Sequence, residues 1–386
     1  MRILVFSPYY PPHIGGLESH SDEFNRHMAA REVQVVVLTP RLPVSAPETE
    51  VRYGRVEILR FPAIELIHNY PVPKFWSTRF WRMWETLSRD NFDFVISRTR
   101  FFFTSLMAWR FSRKVRAPWI HIEHGSDFAH FNGRVKTMLG QTYDRIFGSF
   151  VLRSCHAVVA NSEASRAFVR VLSRRTDCRV IYRGVDVDRI AAATPNDVLR
   201  RYWPGHIIIG YVGRLIDGKG VHDLLKSFSL LNSPDASLVI VGDGPERHRL
   251  EQLSAQLAIA ERVRFMGHLL PAQALSSMAA FDIVVNPSYT EGLPSSIIEA
   301  ALLRKAIVAT DVGGTREIIS GTGDGYLVAP GDHVAMAEKL ALLNSDPDLR
   351  YRLGEAAFMK AQRRFDWDAA IGQYVAEFAA FHGAAI

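Results

Sequence analysis

Short runs of β-branched and aliphatic residues recur along the whole chain, each followed by a longer stretch with helical periodicity, and this alternation restricts the fold more than any other feature. In the first half the runs are 3–7, 33–38, 56–61, 94–97, 119–123, 157–161 and 180–182. In the second half they are 207–212, 237–241, 263–265, 283–286, 307–310 and 326–328. Runs such as Ile207-Ile208-Ile209 and Ile283-Val284-Val285 are apolar at successive positions, so both faces of such a strand need covering. Parallel strands flanked by helices on both sides meet that need. The pattern therefore predicts an α/β protein built from βαβ units, and 386 residues, at roughly 100 to 200 per domain, predict two sheets. Pro195, Asn196, Pro204 and Gly205 mark 191–205 as the linker, which puts the domains at residues 1–190 and 191–364.

Composition narrows the class. Hydrophobic residues make up 48% and charged residues 22%, enough for a full core and too little charge for disorder. Two cysteines, Cys155 and Cys178, build neither a disulfide framework nor a four-ligand zinc site and suit a reducing, cytoplasmic setting. The N-terminal run 1–8 is short for a signal peptide and interrupted by proline, and no apolar stretch is long enough to span a membrane. The net charge of +6 divides unevenly, +10 over residues 1–190 and −4 over the rest. A basic first half suits nucleic acid, a phosphate-bearing substrate or an anionic membrane surface. The absence of a zinc finger, an RNA-binding signature or a basic tail argues against nucleic acid.

Ligands of doubly wound sheets bind at the carboxyl ends of the strands, so the residues just after each run hold the candidates. Gly15-Gly16 follows the first run and either brings backbone amides close to a phosphate or sugar or is an ordinary turn. His124 follows 119–123 as a cleft hydrogen-bond donor or a satisfied core histidine, whereas His121 reads as structural. Gly213-Arg214 and Lys219-Gly220 place two cations beside free amides, which suits a diphosphate, with solvated surface charges as the alternative. Their spacing is not that of a P-loop. Gly242-Asp243-Gly244 lacks the third glycine of a dinucleotide fingerprint and reads as a turn. Glu291 and Glu299 flank Gly292-Leu293-Pro294-Ser295-Ser296, where Pro294 suits a first helical position and the Ser295 and Ser296 amides are free for an anion. Glu299 lies among apolar neighbours and can accept from a ribose diol. The segment 74–84 mixes cations with Trp76, Phe80, Trp81 and Trp84, a composition shared by membrane-interface helices and by helices that pack an aromatic face on their own sheet. No metal-ligand cluster is evident, and no metal is expected.

Together these residues resemble the retaining glycosyltransferases of the GT-B fold, glycosyltransferase family 4. The resemblance extends over nearly the whole chain and rests on Gly15-Gly16-Leu17-Glu18, His124-Gly125-Ser126-Asp127, Asn161-Ser162, Gly184-Val185-Asp186, Gly213-Arg214 with Lys219-Gly220, Gly242-Asp243-Gly244-Pro245, Glu291-Gly292-Leu293-Pro294 with Glu299, and Gly313-Gly314 with Glu317. It departs at Asp217-Gly218, where the family more often has a bulkier pair, and this could loosen the loop. The resemblance implies two Rossmann-like domains facing across a cleft. The first would take the acceptor and the second the nucleotide sugar, with a C-terminal helix (about 365–386) crossing back onto the first. It implies that Arg214 and Lys219 hold the donor diphosphate, Glu299 the ribose, and Glu291 with the Gly292 and Leu293 amides the sugar, while Gly16 and His124 face the donor from the first domain.

The expected activity is transfer of a hexose or acetamidohexose from UDP or GDP to an acceptor hydroxyl with retention, without a bound cofactor. A lipid-linked saccharide of bacterial polysaccharide or glycan assembly, met peripherally at the cytoplasmic membrane face, is the expected acceptor. The competing readings are a nucleotide-sugar epimerase and a non-catalytic sugar-nucleotide-binding protein.

Overall fold

The structure is a computed structural model and describes all residues except 14, 68–69, 129–133 and 384–386. The chain divides into two compact units, Met1–Gly184 with Trp367–Ile386, and Val185–Asp366.

The sheet of the first unit contains β1 (Arg2–Phe6), β2 (Gln34–Pro40), β3 (Thr49–Arg52), β4 (Val56–Phe61), β7 (Phe94–Arg98), β8 (Trp119–Glu123), β9 (Ala157–Ala160) and β10 (Arg179–Val180). Their order is β10-β9-β8-β7-β1-β2-β4-β3, and every pair is parallel except β3 with β4. The central strand β1 shows why an unbroken apolar run folds this way. Val5 pairs with Val37 on one side and Ile96 on the other, while successive side chains leave by opposite faces. Leu4 and Phe6 enter a core with Val36, Phe111 and Trp119; Ile3 and Val5 enter a second core with Phe24, Met28 and the terminal helix Trp367–Gly383. Each such aliphatic or aromatic side chain contributes roughly 1.5 to 3 kcal/mol on burial.

The second unit has an all-parallel sheet of β11 (Ile207–Val212), β12 (Ala236–Val241), β13 (Val263–Gly267), β14 (Ile283–Asn286), β15 (Ala306–Thr310) and β16 (Tyr326–Val328), in the order β13-β12-β11-β14-β15-β16. In both sheets the chain winds outward from one strand and then returns to that strand's other side. This makes β1/β7 and β11/β14 the switch points, where loops at the carboxyl ends part and leave room for a ligand.

Three strands have no counterpart in the sequence reading. The edge strand β3 offers only Val51 as an apolar residue, and Val51 is exposed. An antiparallel ribbon of β5 (Ala63–Ile67) and β6 (Tyr70–Pro73) carries Pro71 and Pro73, which disguise it as loop.

The boundary between units also differs from the expected linker at 191–205. That stretch holds the whole of the helix Asp197–Tyr202 and lies within the second unit, because Asn196 caps the helix and its backbone N–H bonds the Ser276 carbonyl at 3.0 Å. The chain crosses instead between Gly184 and Val185 and again between Asp366 and Trp367. A Cβ on Gly184 would lie 2.4 Å from the Trp367 ring, so the first crossing needs glycine. Trp367 Nε1 donates to Glu23 at 3.3 Å, and Arg31 pairs with Asp368 at 2.9 Å, tying the returning helix to the first unit.

Candidate active site

In the second unit, the loops after β11 and β14 meet at its switch point. The Tyr289 N–H donates to the Gly218 carbonyl at 3.0 Å, and Lys219 Nζ donates to Glu291 Oε1 at 2.5 Å. Ser288 Oγ donates to the same oxygen at 2.7 Å. Gly220, at φ +63, ends the short 3-10 turn Asp217–Lys219, and a Cβ there would sit 2.1 Å from the Pro287 carbonyl oxygen. Glycine is therefore required both by conformation and by space. Gly218 has open space around its Cα, so a larger residue fits and its smallness is not what shapes the loop.

Arg214 is exposed and makes no ion pair among the described residues; the buried Tyr211 hydroxyl donates to its carbonyl at 3.0 Å. A Cβ on Gly213 would lie 2.5 Å from that hydroxyl. The turn Gly242-Asp243-Gly244 braces the Arg214 loop. The Gly213 N–H bonds the Val241 carbonyl, the Leu215 N–H the Asp243 carbonyl, and Gly244 packs against the Leu215 carbonyl, where a Cβ would approach to 2.3 Å.

The loop continues through Gly292, whose carbonyl accepts from the Gly314 N–H at 2.9 Å, and through the buried Leu293 and Pro294. Pro294 is not the first helical residue. At φ −71, ψ 111 it is the N-cap, and the helix runs Ser295–Leu302. The Pro294 carbonyl accepts from Ile297 and Ile298, while the Ser295 and Ser296 amides at the helix start lack intrahelical acceptors. Half-buried Glu299 lies on this helix about 6 Å along the axis from Ser295.

In the first unit, Gly15 is the N-cap and Gly16 the first residue of the helix Gly16–Ala30. A Cβ on Gly16 would meet nothing within 4 Å, whereas one on Gly15 would meet the Glu18 carboxylate at 2.4 Å. Glu18 is buried beside its own helix start and bonds His13 Nδ1 at 2.5 Å, so a carboxylate already answers the positive helix end.

His124 stands on a turn clamped by Glu123. Both the His124 and Gly125 N–H groups donate to Glu123 Oε1, at 2.9 and 2.7 Å. Burial disfavours ionised Glu123, but Arg100, 2.9 Å away, the His121 hydrogen bond and the Gly125 amide together hold its carboxyl far below the usual range. Arg100 also binds Asp144 at 2.7 and 2.9 Å, and burial still leaves the Asp144 carboxyl raised. His121 is fully buried and bonds Ser97 and Glu123, a structural placement.

A chain of hydrogen bonds assigns the His124 tautomer. Ser162 Oγ donates to Ser165 Oγ at 2.9 Å, Ser165 Oγ donates to Asn161 Oδ1 at 2.9 Å, and this turns the Asn161 amide N–H toward His124 Nδ1 at 3.4 Å. Nδ1 is then the acceptor and Nε2 carries the proton. Nε2 is buried and has no partner among the described residues. Burial, helped by Arg98 and Arg183, lowers the His124 pKa to about 3, so the ring is neutral at physiological pH. His20, with its ring centroid 4.9 Å from that of His124, is also pushed well below its ordinary value by burial, and Arg98 Nη1 faces its Nδ1 at 3.2 Å.

Sequence reasoning missed Arg98, Arg100 and the orienting role of Asn161. Arg98 ends β7 and Arg100 follows it at the β1/β7 switch point, where the strand-end rule, applied to the run 94–97, points at them. Nothing in the sequence pairs Asn161 with His124.

The four aromatics of 74–84 separate. Trp76 and Trp81 are 71% and 47% exposed, whereas Phe80 and Trp84 are 3% and 7% exposed and belong to the core. In the helix Thr78–Leu87, the i, i+4, i+7 stripe Phe80, Trp84, Leu87 faces Phe61, Phe6 and Phe111. The expectation that all four form an acceptor or membrane surface is thus corrected for Phe80 and Trp84, which pack on their own sheet. Among the described residues, no helix is long and apolar enough to cross a membrane, and no group of three or more His, Cys, Asp or Glu is placed to hold a metal ion.

Two family models match the chain, "Glycosyltransferase Family 4" over residues 14–189 and "Glycosyl transferases group 1" over 203–360. An uncharacterised glycosyltransferase of Methanocaldococcus jannaschii is 31% identical over 382 residues, covering 97% of both chains. A phosphatidyl-myo-inositol mannosyltransferase of Mycobacterium leprae is 29% identical, over 97% of this chain and 95% of that protein. Anabaena HepE, solved in complex with UDP-glucose, superposes with a TM-score of 0.76 at 20% identity over 98% of this chain and all of that one, a likeness of fold.

Proposed function

The chain belongs to the GT-B glycosyltransferases of family 4, and on that premise we propose that it moves a hexose or acetamidohexose from a UDP or GDP sugar to an acceptor hydroxyl with retention of configuration. The observation that carries this reading is the Lys219–Glu291 contact at the β11/β14 switch point, in loops that also carry Arg214 and lead to the helix start at Ser295 and Ser296. Without donor, Lys219 is neutralised by Glu291. An arriving diphosphate competes for the ammonium group and frees the carboxylate to accept from sugar hydroxyls. As the bond from the sugar to the diphosphate breaks, negative charge grows on the departing oxygens, and Lys219 and Arg214 stabilise that state more than the intact donor. Gly213 and the Gly292 and Leu293 amides line the same donor, and Glu299 takes the ribose diol. In the first unit, Gly15-Gly16 and the Nε2–H of His124 serve the reacting sugar.

The acceptor in this reading is a lipid-linked saccharide of cell-surface polysaccharide or glycan assembly, reached from a peripheral position on the cytoplasmic face of the membrane. Exposed Trp76 and Trp81 in a basic unit support it, as does the phosphatidyl-inositol acceptor in the mycobacterial relative's name. A screen of UDP, GDP and ADP sugars against extracted lipid-linked acceptors tests the proposal. Nucleoside diphosphate released only when an acceptor is present supports it. Turnover with donor alone, yielding an altered sugar still attached to nucleotide, would favour epimerisation.

A further inference from the structure

An apolar opening in the first unit is lined by none of the candidate donor-site residues. It is a groove of about 790 Å³ between the helices Thr78–Leu87 and Phe103–Val115, closed on its third side by the π-helical turn Asp144–Gly148 and the helix Ser149–Ser154. Its floor is core, with Phe80, Trp84 and Met107, and its lip is exposed apolar surface, with Trp81, Ile146, Phe147 and Phe150. The same exposed surface continues onto the preceding helix Arg134–Tyr143, where Val135, Met138 and Leu139 recur at i, i+3, i+4 and face water. An exposed apolar area of this extent marks an interaction site in a stable protein.

The polar rim is one-sided. Arg110 and Lys114 line the groove, and Arg82 and Arg89 line an adjoining hollow of about 400 Å³; Glu85, paired with Lys114 at 2.6 Å, is the carboxylate among these lining residues. Apolar depth, an aromatic lip and a cationic rim together match an aliphatic or isoprenoid chain that ends in an anionic headgroup. A protein partner would need carboxylates around an apolar knob to meet the same cationic rim. We propose that this groove takes one hydrocarbon chain of an anionic membrane lipid, with the headgroup phosphate against Arg110 and the neighbouring cations while the lip and the 135–139 stripe enter the leaflet. The assignment deepens the lipid-linked acceptor reading and rests on it for the biological lipid, but the groove itself is tested without any sugar transfer.

The test uses the full chain with vesicles of phosphatidylcholine, with and without phosphatidylglycerol whose acyl chain carries a photoactivatable diazirine. The protein is expected to float with the anionic vesicles and to crosslink within 103–115 and 144–154. Arg110→Ala and Arg82→Ala should each weaken partitioning by roughly fivefold, since one cation near an anionic surface contributes about that factor. Ile146→Ser with Phe147→Ser removes exposed side chains, leaves the thermal transition in place, and should lower partitioning more than tenfold and abolish the crosslinks. UDP-glucose or GDP-mannose binding by calorimetry is read on the same proteins. Normal donor binding with no flotation, or crosslinks that fall outside the groove, overturns the groove and leaves the transferase reading standing. Groove crosslinks with no donor binding support the groove and count against the transferase reading.

Discussion

At the scale of single residues, the orientation of His124 is the most specific outcome. The residue itself was legible, because it follows a strand at a carboxyl edge. Its tautomer was not, because the groups that set it come from Asn161 and Ser165, on a loop and helix that only folding brings near. We expect Asn161→Asp to present a carboxylate to Nδ1, draw the proton there and remove the Nε2–H donor. Turnover should fall about tenfold, the upper end for one neutral hydrogen bond, while ¹⁵N shifts of the imidazole move from the Nε2–H to the Nδ1–H pattern. An unchanged tautomer in the folded variant would refute the relay.

The same cluster governs acid stability. His124 and His20 are held neutral when folded but take up protons near pH 6.5 when unfolded, so the unfolded state binds more protons as pH falls below that value. Stability is therefore fully present above about pH 6.5 and declines below it, by up to about 1.4 kcal/mol per pH unit for each ring, until pH approaches about 3 for His124. Chemical denaturation between pH 7 and 5 should show this slope, and His20→Asn should reduce it.

At the scale of elements, the loops after β11 and β14 act as one unit because their backbones are bonded to each other. Replacing Lys219 or Arg214 by Ala should lower kcat by about 10²- to 10³-fold, as expected for loss of a group that stabilises charge on the leaving diphosphate, with a smaller change in KM. Gly220→Ala should cost comparable activity by a different route, since its Cβ has no room against Pro287 and the turn must shift; a shifted loop should appear as loss of the Lys219–Glu291 contact. The helix Thr78–Leu87 gives a sharper contrast. Trp84→Ala opens the core and should destabilise by about 3 to 5 kcal/mol, whereas Trp81→Ala, at a half-exposed site, should cost far less in a thermal melt. Aromatic content could not separate these two residues; helical phase could, since Trp84 shares a stripe with Phe80 and Leu87 and Trp81 does not. Strands β3, β5 and β6 escaped notice for other reasons: β3 is short and mostly polar, and the antiparallel ribbon of β5 and β6 is interrupted by Pro71 and Pro73.

At the scale of the whole molecule, the alternation of apolar runs and helices is enough to specify two wound sheets, and the strand-end rule then selects residues that the folded loops do bring together, Lys219 with Glu291 foremost. The exact crossing between units was hidden, because the sequence marks turns by proline and glycine whereas the crossing is set by Gly184 packing on Trp367, far along the chain. The charge imbalance follows the units, with the basic excess in the one that carries the apolar groove. Retention during sugar transfer is read by proton NMR of the anomeric signals during turnover. With an α-linked nucleotide sugar and a competent acceptor, an α-linked product should appear in step with free nucleoside diphosphate. A β-linked product, or an epimerised sugar still attached to its nucleotide, would contradict it.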